Sequence, residues 1–102
     1  MTGPTFSHEL TGEPSRLTLR GELDEATTVE LRELIGTATG ALHQDLVIDL
    51  SGVDFLPSAA VGVLAKARAT ASGNGAELTF VAEEGSIAQR VLTICGLPHQ
   101  DA

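Results

Sequence analysis

Few side chains in this sequence are reactive enough for chemistry, and Ser58 stands in the most suggestive position. A serine nucleophile needs a nearby general base and a sharp strand-to-helix turn of the Gly-x-Ser-x-Gly type. The residues around Ser58 do not spell that turn, and the three histidines, His8, His43 and His99, stand in separate segments. The pattern argues against a hydrolase, and we expect the chain not to be an enzyme.

The cysteine and histidine content predicts neither a metal site nor a disulfide. One cysteine cannot form an internal disulfide, and the three scattered histidines match no metal-ligand spacing. Cys95 falls on the apolar face of a predicted helix, which predicts a buried thiol rather than a redox switch. No cofactor is expected.

Ser58 is predicted to lie where a strand gives way to a helix. The run 46–50 is almost continuously apolar, as in a strand covered on both faces by helices. Residues 51–57 are predicted to turn, because Pro57 disfavours helix before it and lacks an amide donor. Ser58 then falls at the helix N-cap, where a hydroxyl accepts a bond from a first-turn amide. The predicted buried face of this helix is Ala60, Val63, Leu64, Ala67 and Ala71.

The other segments predict a hairpin, a further strand and two further helices. Residues 5–10 and 16–20 form the predicted hairpin, and residues 77–82 alternate as a strand does. One helix begins at Asp24 or, through a capping box, at Thr27, and the last is capped by Ser86 and stopped at Gly96. The order of elements predicts a mixed sheet with right-handed crossovers. The predicted stripe of the first helix is Leu31, Leu34, Ile35, Ala38 and Leu42.

The composition indicates one globular domain with an aliphatic core. Of 102 residues, 42% are hydrophobic, 20% are charged and 3% are aromatic. The net charge of −8 and the lack of a basic run disfavour direct binding to nucleic acid or anionic membranes. No window is apolar enough for membrane insertion and no secretion signal is evident, so we expect a cytoplasmic protein.

Three short sequences resemble those of a known domain family. Residues 55–62, Phe-Leu-Pro-Ser-Ala-Ala-Val-Gly, stand where the STAS domain of bacterial anti-sigma factor antagonists passes through Asp-Ser-Ser/Thr-Gly into a helix. Residues 21–24, Gly-Glu-Leu-Asp, look like the family's Gly-Glu-Leu/Ile-Asp, and residues 95–97 like its Ser/Cys-Gly-Leu. The resemblance implies a single STAS domain over residues 5–98. Its α/β fold would be a mixed sheet of four or five strands with helices packed mainly on one face.

The resemblance also implies an anti-sigma factor antagonist that releases a sigma factor. In such proteins the first serine of the motif, here Ser58, is phosphorylated by a serine-kinase-type anti-sigma factor, and the unphosphorylated form binds that partner. ATP would belong to the partner, and this chain would be a monomer or weak dimer. The candidate partner-binding residues are Glu22, Asp24, Asp54, Phe55, Pro57, Ser58 and Ala59.

The motif departs from the family pattern and leaves alternatives open. Pro57 replaces the aspartate, Ala59 the second Ser or Thr, and Ala60 the glycine. Ser58 is then either a phosphoacceptor at a helix N-terminus or a plain N-cap in an antagonist without kinase control. Asp24 either assists the Ser58 loop or caps its own helix. Two other functions remain open: an accessory subunit of a membrane transport complex, and a small-molecule activity near Asp24 and Ser58.

Overall fold

The computed structural model describes residues 6–12 and 15–101, which form a five-stranded sheet and three helices. The predicted order of elements is confirmed and ends with a further short strand. Thr5, Glu13 and Pro14 of the predicted hairpin lie outside the described residues. Strand β1 is antiparallel to β2, and the other neighbouring strands are parallel. The elements are β1 (Phe6–Thr11), β2 (Arg16–Glu22), α1 (Glu25–Ala38), β3 (Leu46–Phe55), α2 (Ser58–Gly73), β4 (Leu78–Ala82), α3 (Ile87–Ile94) and β5 (Gln100–Asp101).

One face of the sheet carries the core. Side chains alternate between the faces of a strand, and the register aligns Ile48 of β3 with Leu17 of β2 and Phe80 of β4, all buried. On the opposite face of β3, Val47 and Asp49 are only half-buried, so the prediction of a strand covered on both faces is wrong. The helices pack on the first face, through buried residues that include Leu31, Ile35, Leu64, Ala71 and Leu92.

Helix α1 begins after Asp24, not at Thr27. The Asp24 carboxylate accepts from the Thr27 amide at 2.9 Å, and the Thr27 hydroxyl accepts from the Asp24 amide at 2.6 Å. Each of these two side chains therefore satisfies an amide that the helix itself cannot bond. Of the predicted stripe, Leu31 and Ile35 are buried, and the remaining members are only partly buried.

An unusual left-handed turn follows α1. Gly40, Ala41 and Leu42 have φ values of 57°, 62° and 70°, a conformation that costs energy in residues with a side chain. The buried Thr39 hydroxyl donates to the Ile35 carbonyl at 2.6 Å and accepts from the Leu42 amide at 2.8 Å. These bonds hold the turn against the end of α1.

Strand β3 continues to Phe55, five residues past its predicted end. The register with β2 shifts twice along this stretch, and Gly52 lies at one of the shifts. A Cβ at Gly52 would lie 2.9 Å from the Arg20 Cγ and 3.3 Å from the Leu19 carbonyl oxygen. Because glycine permits this close approach, the strand stays paired where a turn was predicted. It therefore delivers Phe55 to the end of the sheet.

Helix α3 is capped as predicted, but its cysteine is not buried. The Ser86 hydroxyl accepts from the Gln89 amide at 3.1 Å, and Gly96, at φ 73°, ends the helix. Cys95 is exposed, so the prediction of a core thiol is wrong. The reason is that α3 ends at Ile94 and Cys95 occupies its C-cap, one turn beyond Leu92, the last buried residue of the helix.

Candidate functional site

The candidate partner-binding residues lie at the edge of the sheet where β2 and β3 end. Glu22 pairs with Phe55, and the Leu23 amide donates to the Phe55 carbonyl at 3.1 Å. Asp24 then caps α1 and Ser58 begins α2, so the two helix N-termini stand beside the same strand ends. Carboxyl ends of strands are the usual location of binding sites in such sheets. We name this group the Ser58 edge: Glu22, Asp24, Asp54, Phe55, Pro57, Ser58 and Ala59.

Ser58 is the first residue of α2 rather than its N-cap. The N-cap is Pro57, whose extended backbone (φ −71°, ψ 161°) delays helical dihedrals until Ser58. No side chain caps this helix, and the Pro57 carbonyl accepts from the Ala60 and Val61 amides at 2.9 and 3.1 Å. Ser58 is exposed, and its hydroxyl makes no hydrogen bond with a described residue. The prediction that it caps the helix is therefore wrong.

Charge at the Ser58 edge has two opposing sources. The uncapped start of α2 presents amide donors and the positive end of the helix dipole. The edge also carries three exposed carboxylates, on Glu22, Asp24 and Asp54, and no Lys or Arg. Hydrogen bonds from the Thr27 amide and hydroxyl lower the pKa of Asp24, so this carboxylate stays ionised to a lower pH than an ordinary aspartate does.

Asp24 has a structural task of its own. Its carboxylate bonds the Thr27 amide at 2.9 Å and the Thr27 hydroxyl at 3.0 Å. Among the described residues, no hydrogen bond joins it to the Ser58 loop. Helix capping is thus confirmed as its role, and any contact of Asp24 with a partner would be additional to that role.

An apolar side chain completes the edge. Phe55 is 54% exposed, whereas its neighbour Leu56 is buried and anchors the loop to the core. Exposed aromatic side chains next to polar groups are typical of protein interaction surfaces. Phe55 therefore adds an exposed apolar group to an edge whose other exposed members include three carboxylates.

The described histidines and acidic residues do not form a metal centre. Within residues 6–12 and 15–101, no group of three or more His, Cys, Asp or Glu is placed to hold a metal ion. His8 approaches Glu30 at 3.6 Å, and His99 approaches the Leu97 carbonyl at 2.9 Å. In the same part of the chain, every helix is too short or too polar to span a bilayer.

The sequence patterns did not predict a groove between α1 and α2. It encloses about 560 Å³ and is lined mainly by apolar groups from both helices and from the left-handed turn after α1. Gly36 and Gly62, in the interiors of the two helices, are the signal that could have revealed it, because glycine is unfavourable there unless space is needed. Ala59 belongs both to this α1–α2 groove and to the Ser58 edge.

A family match and a similar protein sequence agree with this geometry. Residues 6–99 match the family described as "Mlab, STAS domain". The anti-sigma-F factor antagonist RsfB of Mycobacterium tuberculosis (strain ATCC 25618 / H37Rv) is 38% identical over 82 residues. The matched region is 79% of this chain and 65% of RsfB, so the chain spans less than two thirds of that relative's length.

Solved structures have the same fold. An anti-sigma factor antagonist from Mycobacterium paratuberculosis superposes with a TM-score of 0.78 at 24% identity, covering 98% of this chain and 90% of that one. The Bacillus cell fate determinant SpoIIAA in its phosphorylated form gives a TM-score of 0.67 at 24% identity, covering 95% and 90%. The sheet order, the helices and the residues matched lead to one conclusion: the chain belongs to the STAS domain family.

Proposed function

We propose that this chain is an anti-sigma factor antagonist that binds an anti-sigma factor through the Ser58 edge and so frees a sigma factor. The observation that carries the proposal is that Ser58 is exposed and makes no hydrogen bond with the described residues. It begins a helix that has no side-chain cap, three residues after the exposed Phe55. The 38% identity to a protein named as an anti-sigma-F factor antagonist supports the same assignment. The task is binding, and any catalysis belongs to the partner.

Phosphorylation of Ser58 by a serine-kinase-type anti-sigma factor is the proposed switch. A phosphate there would meet the uncapped first-turn amides of α2, which favours retention of the fold. Pro57 has no carboxylate that would compete for those amides, unlike the aspartate of the family motif. The solved phosphorylated form of SpoIIAA shows that this fold exists in a phosphorylated state.

The same phosphate would oppose binding. It adds about −1.5 to −2 charges to an edge that already carries three carboxylates. A partner surface that accepts Phe55 must exclude water around it, and an added charge buried without a cation is costly there. Phosphorylation would thus release the partner while the domain stays folded.

The test is displacement of a fluorescent sigma factor from its complex with the serine-kinase-type anti-sigma factor of the same cell, followed by anisotropy. We expect the unmodified chain to displace the sigma factor. Phe55→Ala should weaken displacement about tenfold or more, because a central aromatic contributes upwards of about 1.4 kcal/mol.

Leu10→Ala is the matched control. Leu10 is 51% exposed, close to the 54% of Phe55, but it pairs with Leu17 near the start of β2 and therefore lies toward the opposite edge of the sheet. We expect this variant to act as the unmodified chain does. Equal effects of the two substitutions would show that the Ser58 edge is not the binding surface. The absence of sigma factor displacement at any concentration would contradict the antagonist function. Stable assembly with transporter subunits instead would support the accessory-subunit alternative.

A further inference from the structure

The α1–α2 groove has the size and lining of a small-ligand site. On α2 its lining residues run from Ala59 to Thr70, eleven residue steps, or about 16 Å of helix. Its volume of about 560 Å³ falls within the range of roughly 300–1,000 Å³ typical of small-molecule pockets. A folded partner usually contacts about 800 Å² of surface on each side, so it would need surface beyond the groove, whereas a small molecule can occupy the groove alone.

Two cations stand at this apolar groove. Arg32 of α1 and Lys66 of α2 both line it, and no carboxylate does. They are two of only six basic residues in a chain with a net charge of −8. In the described part of the chain, neither makes an ion pair or a side-chain hydrogen bond, whereas Arg16 bonds Asp49 at 2.6 Å.

The two helices run in the same direction, and each carries its cation near the middle of the helix. Strands β2, β3 and β4 are parallel, so the helices that connect them, α1 and α2, both return against the strand direction. Arg32 is the eighth residue of α1, and Lys66 is the ninth residue of α2. A guanidinium and an ammonium, one on each wall of the groove, are both groups that bind a carboxylate.

Each helix that borders the groove has a glycine in the lining. A Cβ added at Gly36 or Gly62 would have no described neighbour within 4 Å, so crowding between the helices does not require either glycine. Glycine weakens a helix interior, yet one stands on each helix that borders the groove. At one end, the Asn74 side chain donates to the Leu42 carbonyl at 3.0 Å and links the left-handed turn to α2.

We propose that the α1–α2 groove binds a free amphipathic carboxylate of the fatty-acid class. The alkyl chain lies on the apolar lining, which includes Ile35, Leu42 and Val63, and the carboxylate lies between Arg32 and Lys66. Because Ala59 also belongs to the Ser58 edge, the occupied groove borders the surface assigned to the partner.

The test measures binding of dodecanoate to the isolated chain, below the micellar concentration. The reporter is displacement of the fluorescent probe 11-(dansylamino)undecanoic acid. We expect saturable binding of dodecanoate and at least tenfold weaker binding of dodecanol, which has the same chain length without the charge. Amide resonances of Gly36 and Gly62 should shift on titration.

Substitutions distinguish dodecanoate binding in the groove from binding elsewhere on the surface. The double substitution Arg32→Glu and Lys66→Glu should weaken dodecanoate binding more than tenfold, and Gly62→Leu should block it by filling the groove. Arg68→Glu is the control: Arg68 is exposed on the same helix but does not line the groove, and it should change binding less than twofold. Circular dichroism verifies that each variant is folded.

Three results would overturn the proposal: no saturable binding, equal binding of dodecanoate and dodecanol, or equal effects of the groove and control substitutions. Binding only to vesicles of anionic lipid, and not to free dodecanoate, would also overturn it. So would loss of anti-sigma factor binding in the groove variants without dodecanoate binding, since the groove would then belong to the protein partner. The binding assay uses the isolated chain, so its outcome does not depend on the antagonist function.

Discussion

Two serines at helix N-termini differ in what they do for the fold, and removal of each side chain distinguishes their roles. Ser86 is the N-cap of α3, and its hydroxyl accepts from the Gln89 amide at 3.1 Å. Ser58 is the first residue of α2, exposed, with no side-chain bond at that helix start. The substitutions Ser86→Ala and Ser58→Ala delete the same atom from two helices of one domain.

The expected magnitudes follow from these contacts. Loss of an N-cap hydroxyl costs about 1 kcal/mol, within a range of about 0.5–2 kcal/mol. Removal of an exposed hydroxyl without a bond changes stability by less than about 0.5 kcal/mol. For a domain of this size, 1 kcal/mol corresponds to a melting temperature shift of about 4–8 °C. Ser86→Ala should therefore melt several degrees lower, and Ser58→Ala should melt close to the unmodified protein.

Urea unfolding followed by circular dichroism measures both differences, and equal m-values would show that the denatured states are comparable. A loss of 1 kcal/mol or more in Ser58→Ala would refute the reasoning, because Ser58 would then have a structural role. No loss in Ser86→Ala would show that the 3.1 Å bond contributes nothing to stability.

Three further substitutions test other parts of the account. Gly52→Ala should destabilise the fold by about 1–3 kcal/mol, because the added methyl group would crowd the Arg20 side chain and the backbone of β2; an unchanged urea midpoint would contradict this. Thr28→Val should stabilise it by about 1 kcal/mol, since the buried Thr28 hydroxyl has no partner among the described residues; a lower melting temperature would show that a bond had been lost. Burial alone would raise the pKa of Asp49, but hydrogen bonds from Ser51 and Arg16 outweigh it and lower that pKa below its ordinary 3.8. A lowered pKa contributes stability that is present above the ordinary value and is lost as the pH falls through the lowered one. Unfolding measured from pH 6 down to pH 2 should therefore show a smaller acid-induced loss in Asp49→Asn, and identical profiles would refute this assignment.

The fold was predictable from sequence where the periodicity of apolar residues alone determines an element. The alternation in β2 and the helical stripe at Leu31 and Ile35 depend on burial of apolar groups, which local sequence reports well. The continuation of β3 to Phe55 was not predictable, because it depends on how closely β2 approaches Gly52. Such an approach is a property of two strands and cannot be read from either one.

The candidate site was predictable in its members but not in its local structure. The resemblance correctly placed Ser58 at a helix start. The prediction that Ser58 is the N-cap was wrong by one residue, because the extended backbone of Pro57 makes Pro57 the N-cap. The prediction that Cys95 is buried was wrong for a similar reason, since α3 stops one residue earlier than the apolar spacing suggests. Helix ends are set by a few local bonds and are the least predictable part of an element.

The most direct test of the central claim is the dissociation constant for the anti-sigma factor, measured by titration calorimetry with Ser58 unmodified and then phosphorylated. A charge placed in a desolvated interface costs about 2–5 kcal/mol, which corresponds to about 30-fold or greater weakening. We expect at least that loss, with phosphate located on Ser58 by mass spectrometry and the melting temperature nearly unchanged. Equal affinity of the two forms, or phosphate on a different residue, would contradict it.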